Sequence, residues 1–195
     1  SINQGDKLRT SLRITIAQLL QENFSGTLLS INKTIKLINQ GAINTIKDEE
    51  NKKHSLSFSR FISSLYPQLD KEYGADELEK IPHIGESHCL SYAHQKVYIS
   101  SNGQQIQPIL ITGGKAWHFA NQNNNQWKDS LKQQIKNHTY SNQIFISFGE
   151  IDCRKDEGIL TYAIKKNKNI SEVCEKTIHG YLNHMESTLS PNYSK

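Results

Sequence analysis

Ser87 is the residue that the sequence places best for chemistry. It follows a short apolar segment that runs to Ile84 and closes with Gly85, a pattern that predicts a buried strand and then a sharp turn. In an open α/β sheet, ligands bind at the carboxyl ends of the strands. A hydroxyl at that position, followed directly by His88, is a candidate nucleophile.

A second predicted strand end repeats this plan. Residues 144–148 are almost entirely apolar, and Gly149 is followed by charged side chains at Glu150, Asp152 and Arg154. Such a run is typical of a strand buried on both faces of a sheet. Arg154 can form an ion pair with one of the carboxylates and pin the loop, or it can bind an anionic substrate group with two hydrogen bonds.

A third apolar run, residues 106–111, leads to the pair Gly113-Gly114. It is separated from the strand-like residues 97–100 by Asn102-Gly103, which is a strong signal for a β-hairpin. Pro108 predicts an edge or irregular segment here, because proline donates no hydrogen bond to a neighbouring strand.

Helical patterns alternate with these strands from residue 81 onward. Trp127, Leu131 and Ile135 recur every four residues and predict a surface helix that covers the sheet. A last helix follows Asn169, and its predicted buried stripe comprises Ile170, Cys174, Ile178, Tyr181, Met185 and Leu189. The alternation predicts an α/β domain over residues 79–195, with a parallel, doubly wound sheet and flanking helices.

The hydrophobic pattern of residues 1–69 predicts three helices, and no candidate catalytic or ligand-binding residues stand out in them. The first two form a helical hairpin with a break at Ser25-Gly26 and a stop at Gly41, and Pro67 ends the third. We interpret this segment as a helical annex for packing or for binding a protein partner. The end of a helical-repeat region is an alternative interpretation.

Composition excludes several function classes. The net charge of +4 is small and scattered, so no nucleic-acid-binding surface is expected. Cys89, Cys153 and Cys174 lack the spacing of a disulfide framework or a zinc site, which favours a reducing, cytoplasmic location. His179 and His184 do not share a helical face, and we expect neither a metal nor a cofactor. No apolar run reaches the ~18 residues of a membrane-spanning helix.

Three segments carry a resemblance to a known family. Gly85-Glu86-Ser87-His88 resembles the first block of the SGNH/GDSL hydrolase superfamily, and Gly113-Gly114 resembles the second. Residues 148–154 resemble the third block, most closely that of a bacterial subgroup with Gly-Glu-Ile-Asp-Cys-Arg, whose members often follow helical repeats. The resemblance covers residues 79–189 and implies a flavodoxin-like, SGNH-type fold.

The resemblance implies a serine esterase, deacetylase or acyltransferase that acts on an acylated carbohydrate or a similar ester. Ser87 would be the nucleophile, Gly114 would contribute to the oxyanion hole, and Asp152 would be a further catalytic residue. The residues implied to contact the substrate are Glu86, His88, Gly113, Gly149, Glu150 and Arg154.

The chain departs from the family pattern at two points. The family's Asp-x-x-His, which supplies the general base, is missing after the third block, so we expect an α/β domain that is incomplete at its C-terminus. Ile151 stands where the family has an asparagine donor. Two alternatives therefore remain: a non-catalytic carbohydrate- or anion-binding module, and a helical-repeat interaction protein in which the sheet is a scaffold.

Overall fold

The computed structural model describes residues 3–72, 78–99, 101–138 and 141–189, with side chains described up to residue 65 in the first of these ranges. The chain divides into two compact units, Ser1–Glu77 and Leu78–Lys195.

The described part of the N-terminal unit contains three α-helices, α1 (Gln4–Leu20), α2 (Phe24–Asn39) and α3 (Glu49–Glu72), and a short 3-10 helix at Ala42–Thr45. The hairpin of α1 and α2 is confirmed, but its break lies earlier than predicted. The side chain of Asn23 accepts the amide hydrogen of Gly26, so Ser25 and Gly26 form the first turn of α2. The prediction that Pro67 ends α3 is wrong, since the helix continues to Glu72.

The face on which α1 and α2 pack is partly polar. Leu8, Leu12 and Ile31 are buried, and the hydroxyl oxygens of Ser11 and Thr34 lie 2.8 Å apart in a buried hydrogen bond. The two hydroxyl groups satisfy each other, which removes most of the cost of burying them.

Within its described residues, the second unit contains one four-stranded sheet. Its strands are β1 (Glu79–Gly85), β2 (Lys96–Ile99), β3 (Asn102–Leu110) and β4 (Phe145–Ser147), in the spatial order β2-β3-β1-β4. The strands β3, β1 and β4 are parallel. The predicted hairpin is confirmed as the antiparallel pair β2 and β3, but its turn lies earlier than predicted, because Asn102 and Gly103 belong to β3 and pair with Ile99 and Tyr98. The prediction of a wholly parallel sheet is wrong, because this hairpin makes the sheet mixed.

Pro108 lies in β3 opposite His83 of β1. The antiparallel pairing with β2 covers β3 from Asn102 to Gln105. Beyond Gln105, β3 still pairs with β1 but no longer with β2. Pro108 therefore lies where one side of the strand is an edge, which suits a residue without a backbone N–H.

Four helices accompany the sheet: α4 (Ala116–Ala120), α5 (Gln126–Asn137), α6 (Ile159–Lys165) and α7 (Ile170–Leu189). Two short 3-10 helices cover Ser87–Tyr92 and Ile151–Cys153. The buried core of this unit comprises Ile84, Ile109, Ile111, Phe119, Leu131, Ile135 and Met185. The unit is thus an α/β domain, as predicted, and α5 covers the sheet through Leu131 and Ile135.

Two burial predictions are wrong. Strand β4 lies at the edge of the sheet with Phe145 40% exposed, so it is not buried on both faces. Helix α7 buries Val173, Thr177 and Met185, whereas Ile178 is 54% exposed.

In the described residues, no helix is both long enough and apolar enough to cross a bilayer.

Candidate functional site at the carboxyl ends of the parallel strands

Gly85 ends β1 and pairs there with Ser147 of β4. A Cβ atom on Gly85 would lie 2.8 Å from the carbonyl oxygen of Ser147 and 2.9 Å from the Cβ of Cys89. The predicted turn lies one residue later, since Gly85 is the last residue of the strand, the chain bends at Glu86 and the 3-10 helix begins at Ser87. Glycine is required here because a larger residue would push the two strands apart.

Glu86 is the buried centre of the site. It is 1% exposed, and its carboxylate accepts hydrogen bonds of 3.1 Å from the Ser87 hydroxyl and from the backbone N–H of His88. The Nδ1 atom of His88 lies 2.8 Å from the same carboxylate. A buried carboxylate requires such partners. The proton of the candidate nucleophile is therefore directed at a carboxylate.

Arg154 is engaged by two acidic side chains on the loop that follows β4. Its Nε donates to Glu150 Oε2 at 3.0 Å, and its terminal nitrogens lie 2.8 Å from oxygens of Glu150 and Glu157. These hydrogen bonds, first to Glu150 and then to Glu157, raise the pKa of Arg154. Of the interpretations left open by the sequence, this geometry favours an arginine that pins the loop.

Acidic and basic side chains form a continuous row across the three strand ends. From one end to the other, this charged row contains Glu86, His88, Glu150, Arg154, Glu157 and Lys115. His88 Nδ1 lies 3.8 Å from Glu150 Oε2, and Lys115 Nζ lies 3.6 Å from Glu157 Oε2. The row brings together the residues that follow β1, β3 and β4.

Asp152 connects the loop after β4 to the start of α4. It is 4% exposed, and its two oxygens accept the backbone N–H groups of Ala116 at 2.7 Å and Trp117 at 3.2 Å. Burial raises the pKa of Asp152, and the two amides oppose that shift. The contacts of this carboxylate are thus those of a group that holds a loop.

Gly113 and Gly114 connect β3 to α4. Gly113 has a φ of 70° and Gly149, after β4, has a φ of 130°, which are conformations that favour glycine. The amide of Gly114 donates to the carbonyl of Ile111 at 3.2 Å. The expected oxyanion donor therefore already has a long intramolecular hydrogen bond.

His83 and Ser147 form a pair that the sequence did not predict. His83 Nε2 lies 2.8 Å from the Ser147 hydroxyl, and His83 is 5% exposed. Its Nδ1 has no hydrogen-bond partner in the described part of the chain, and burial lowers the pKa of the ring. A histidine inside an apolar strand is the sequence signal that could have marked His83 as a polar group in need of a partner. That its partner is Ser147 depends on the register between β1 and β4.

A cleft of about 220 Å³ opens beside the charged row, and the residues that line it include Lys115, Trp117, His118, Glu157, Ile159 and Tyr162. His118 stacks on Trp127 with the ring centroids 3.5 Å apart, and its Nδ1 accepts the Lys115 N–H at 3.1 Å. Burial, with a smaller contribution from the Lys115 cation, lowers the pKa of His118 to about 4. His118 is therefore neutral at pH 7, with its proton on Nε2.

Glu86, His88 and Glu150 are the described residues that could hold a metal ion, because one ligand atom from each lies within 4.8 Å of the others. Arg154 already forms an ion pair with Glu150. A metal ion would have to compete with that guanidinium for Glu150. These three side chains are therefore better described as members of the charged row than as a metal centre.

No protein-family model, curated protein or solved structure matches the chain.

Proposed function

We propose that the chain carries an ester-cleaving or acyl-transferring site of the SGNH type, with Ser87 as nucleophile and an acylated carbohydrate or similar ester as substrate. One observation carries this proposal: the Ser87 hydroxyl, at the carboxyl end of the central strand β1, donates to the buried carboxylate of Glu86. A serine becomes an effective nucleophile when a neighbouring group accepts its proton.

The order of the parallel strands supports the flavodoxin-like part of the proposal. In chain order β1, β3 and β4 are the first, second and third parallel strands, and they lie in the sheet as second, first, third. Flavodoxin-like sheets begin with that order, and they bind ligands where the order reverses, beside the first strand. Ser87 directly follows Glu86 at that place.

In the proposed reaction, Ser87 Oγ attacks the ester carbonyl carbon and its proton passes to Glu86. The backbone N–H groups of Ser87 and Gly114 stabilise the oxyanion, which requires Gly114 to release its hydrogen bond to Ile111. The C–O bond of the ester then breaks, and the alcohol leaves with the proton from Glu86. Water, or a second alcohol in acyl transfer, removes the acyl group from Ser87.

Replacing Ser87 tests this proposal. With p-nitrophenyl acetate as probe, Ser87→Ala should lower kcat/KM by at least about a hundredfold, because the attacking atom is lost. Ser91→Ala is the matched control, since Ser91 is an exposed serine on the same 3-10 helix. Equal hydrolysis by the wild-type chain and Ser87→Ala would contradict a nucleophilic role for Ser87.

A binding module without turnover is the second candidate, and specific contacts favour it. Ile151 is 7% exposed and offers no side-chain donor, and both oxygens of Asp152 are used by backbone amides. Arg154 is held by two carboxylates, so a neutral carbohydrate suits this module better than an anion. Binding of an acetylated sugar without its hydrolysis would support this candidate.

A partner-binding role for the N-terminal helices is a separate proposal. Leu29 on α2 is 73% exposed and Ile14 on α1 is 45% exposed, as contact residues for a partner would be.

The described cysteines Cys89, Cys153 and Cys174 are free thiols, which supports the proposal of a reducing, cytoplasmic location.

A further inference from the structure

The cleft beside the charged row has walls of two kinds. Trp117 and Tyr162, which are 40% and 37% exposed as whole residues, contribute aromatic rings, and Ile159 adds an aliphatic side chain. Lys115 and Glu157 contribute an ammonium group and a carboxylate to the same cleft. Binding sites for small molecules commonly combine apolar walls with a few polar groups that fix orientation.

The charged groups that line this cleft are all paired. The Glu157 carboxylate lies 2.8 Å from Arg154 and 3.6 Å from Lys115, and Asp152 accepts two backbone N–H groups. His118 is neutral at pH 7 because its pKa is lowered to about 4. A charged ligand would have to break one of these ion pairs, so the cleft favours a neutral ligand.

A hydroxylated ring matches both kinds of wall. The C–H faces of a pyranose are apolar and can lie against an aromatic ring, while its hydroxyl groups can donate to Glu157 and accept from Lys115. A plain acyl chain would cover these two polar groups without replacing their hydrogen bonds to water, which is unfavourable. A cleft of about 220 Å³ has room for about one such ring.

We propose that this cleft, between Trp117 and Tyr162, binds a neutral sugar ring of the substrate. The proposal rests on the function proposed for Ser87. Lys115 directly follows Gly114, and the charged row leads from Glu157 through Arg154 to the neighbour of Ser87. A sugar held in the cleft would thus present its acyl group toward the end of β1.

Titration followed by NMR tests the cleft directly. The chain contains two tryptophans, Trp117 and Trp127, and Trp117→Phe identifies their indole N–H signals. Methyl glucoside and methyl N-acetylglucosaminide are the neutral probes, and methyl glucuronide is the anionic one. We expect a neutral probe to shift the Trp117 signal, and we expect the anionic probe to bind at least about tenfold more weakly.

Matched aromatic variants locate the binding. Tyr162→Ala should weaken the binding of the neutral probe by about threefold or more, because a stacking surface is lost. Tyr98→Ala should leave it unchanged, since Tyr98 is 77% exposed and is not a lining residue of the cleft. A Trp117 signal that neither neutral probe shifts would overturn the proposal, as would equal affinity for the anionic probe or an unchanged affinity in Tyr162→Ala.

The two proposals fail in different ways. Hydrolysis of p-nitrophenyl acetate that depends on Ser87, without a shift at Trp117, leaves the proposed function standing and overturns the sugar cleft. A glycoside that shifts Trp117 in a chain without Ser87-dependent hydrolysis overturns the ester chemistry and leaves the cleft as the sugar site of a binding module.

Discussion

At the scale of single residues, a few buried ionisable groups organise the candidate site. Glu86 gathers the Ser87 hydroxyl and the His88 ring around one carboxylate. His118 has the opposite character, because burial, with a smaller contribution from the Lys115 cation, lowers its pKa and keeps the ring neutral at pH 7. The charge state and the hydrogen bonds of each group depend more on its neighbours than on its residue type.

His118 should make the stability of the second unit depend on pH. Its pKa is about 4 in the folded chain, against 6.5 for an unperturbed histidine, so the unfolded state binds more protons between these values. The stabilisation is fully present above pH 6.5 and is lost as the pH falls toward 4. We expect the melting temperature to decrease over this range less steeply in His118→Phe, which keeps an aromatic ring against Trp127, than in the wild-type chain.

His54→Phe is the control for that experiment, because His54 is exposed on α3 in the N-terminal unit. Its pH profile should follow that of the wild-type chain. Identical slopes for His118→Phe and the wild-type chain would show that His118 is protonated to the same extent in both states.

At the scale of elements, the loop after β4 is held by contacts that only its folded path provides. The two carboxylate oxygens of Asp152 bind the first amides of α4, and Arg154 is fixed between Glu150 and Glu157. These contacts join the segments that follow β3 and β4, so the candidate site depends on a well-ordered loop.

Removing the Asp152 carboxylate should destabilise the second unit. Asp152→Ala leaves the N–H groups of Ala116 and Trp117 without their acceptors, and we expect a loss of about 1–3 kcal/mol in the free energy of unfolding. Urea denaturation followed by tryptophan fluorescence measures it. Asp129→Ala, at an exposed aspartate in the first turn of α5 that accepts one hydrogen bond from Asn124, should cost less than about 1 kcal/mol. Equal effects in the two variants would contradict the role assigned to Asp152.

Gly158 should tolerate no side chain. A Cβ atom there would overlap the backbone carbonyl oxygen of Asp152, which cannot move without opening the loop. We expect Gly158→Ala to cost about 2 kcal/mol or more by denaturation, whereas Gly103→Ala should cost less, because its Cβ would meet its nearest neighbour at 3.5 Å. A Gly158→Ala chain as stable as Gly103→Ala would show that the loop can take a different path.

At the scale of the whole molecule, two units of different composition share one chain. The N-terminal unit is helical and buries hydroxyl pairs such as Ser11 and Thr34 between its helices. The second unit carries a mixed sheet, and its core contains isoleucine, leucine and aromatic side chains. Every residue of the charged row belongs to this second unit, so the proposed chemistry does too.

The core of the second unit should respond to a single truncation. Leu131 is fully buried on α5, and Leu131→Ala should lower the free energy of unfolding by about 2–5 kcal/mol through lost burial and a cavity. Both tryptophans of the chain lie in this unit, so their fluorescence reports its unfolding. Leu182→Ala is the matched control, since Leu182 on α7 is 54% exposed. Similar midpoints for the two variants would contradict the packing described for α5.

The sequence by itself determined the local structure, because local signals are carried by neighbouring residues. The pairing of β2 with β3, helix α5 and the strand that leads to Ser87 follow from hydrophobic periodicity, whereas the turn predicted at Asn102-Gly103 lies earlier in the chain. It also predicted Glu86, Glu150 and Arg154 as substrate contacts, and that role stays a prediction. The tertiary structure alone decided which partners these residues have.

Contacts between distant segments depend on strand order, register and loop path, which no local pattern contains. The pairing of His83 with Ser147 requires the register of β1 and β4, and the amides bound by Asp152 come from the other side of the sheet's central strand. The apolar run of β4 predicted burial on two faces, but its place at the edge leaves Phe145 40% exposed. Ser87 was a candidate by its position in the sequence, and its hydrogen bond to a buried carboxylate is a property of the fold.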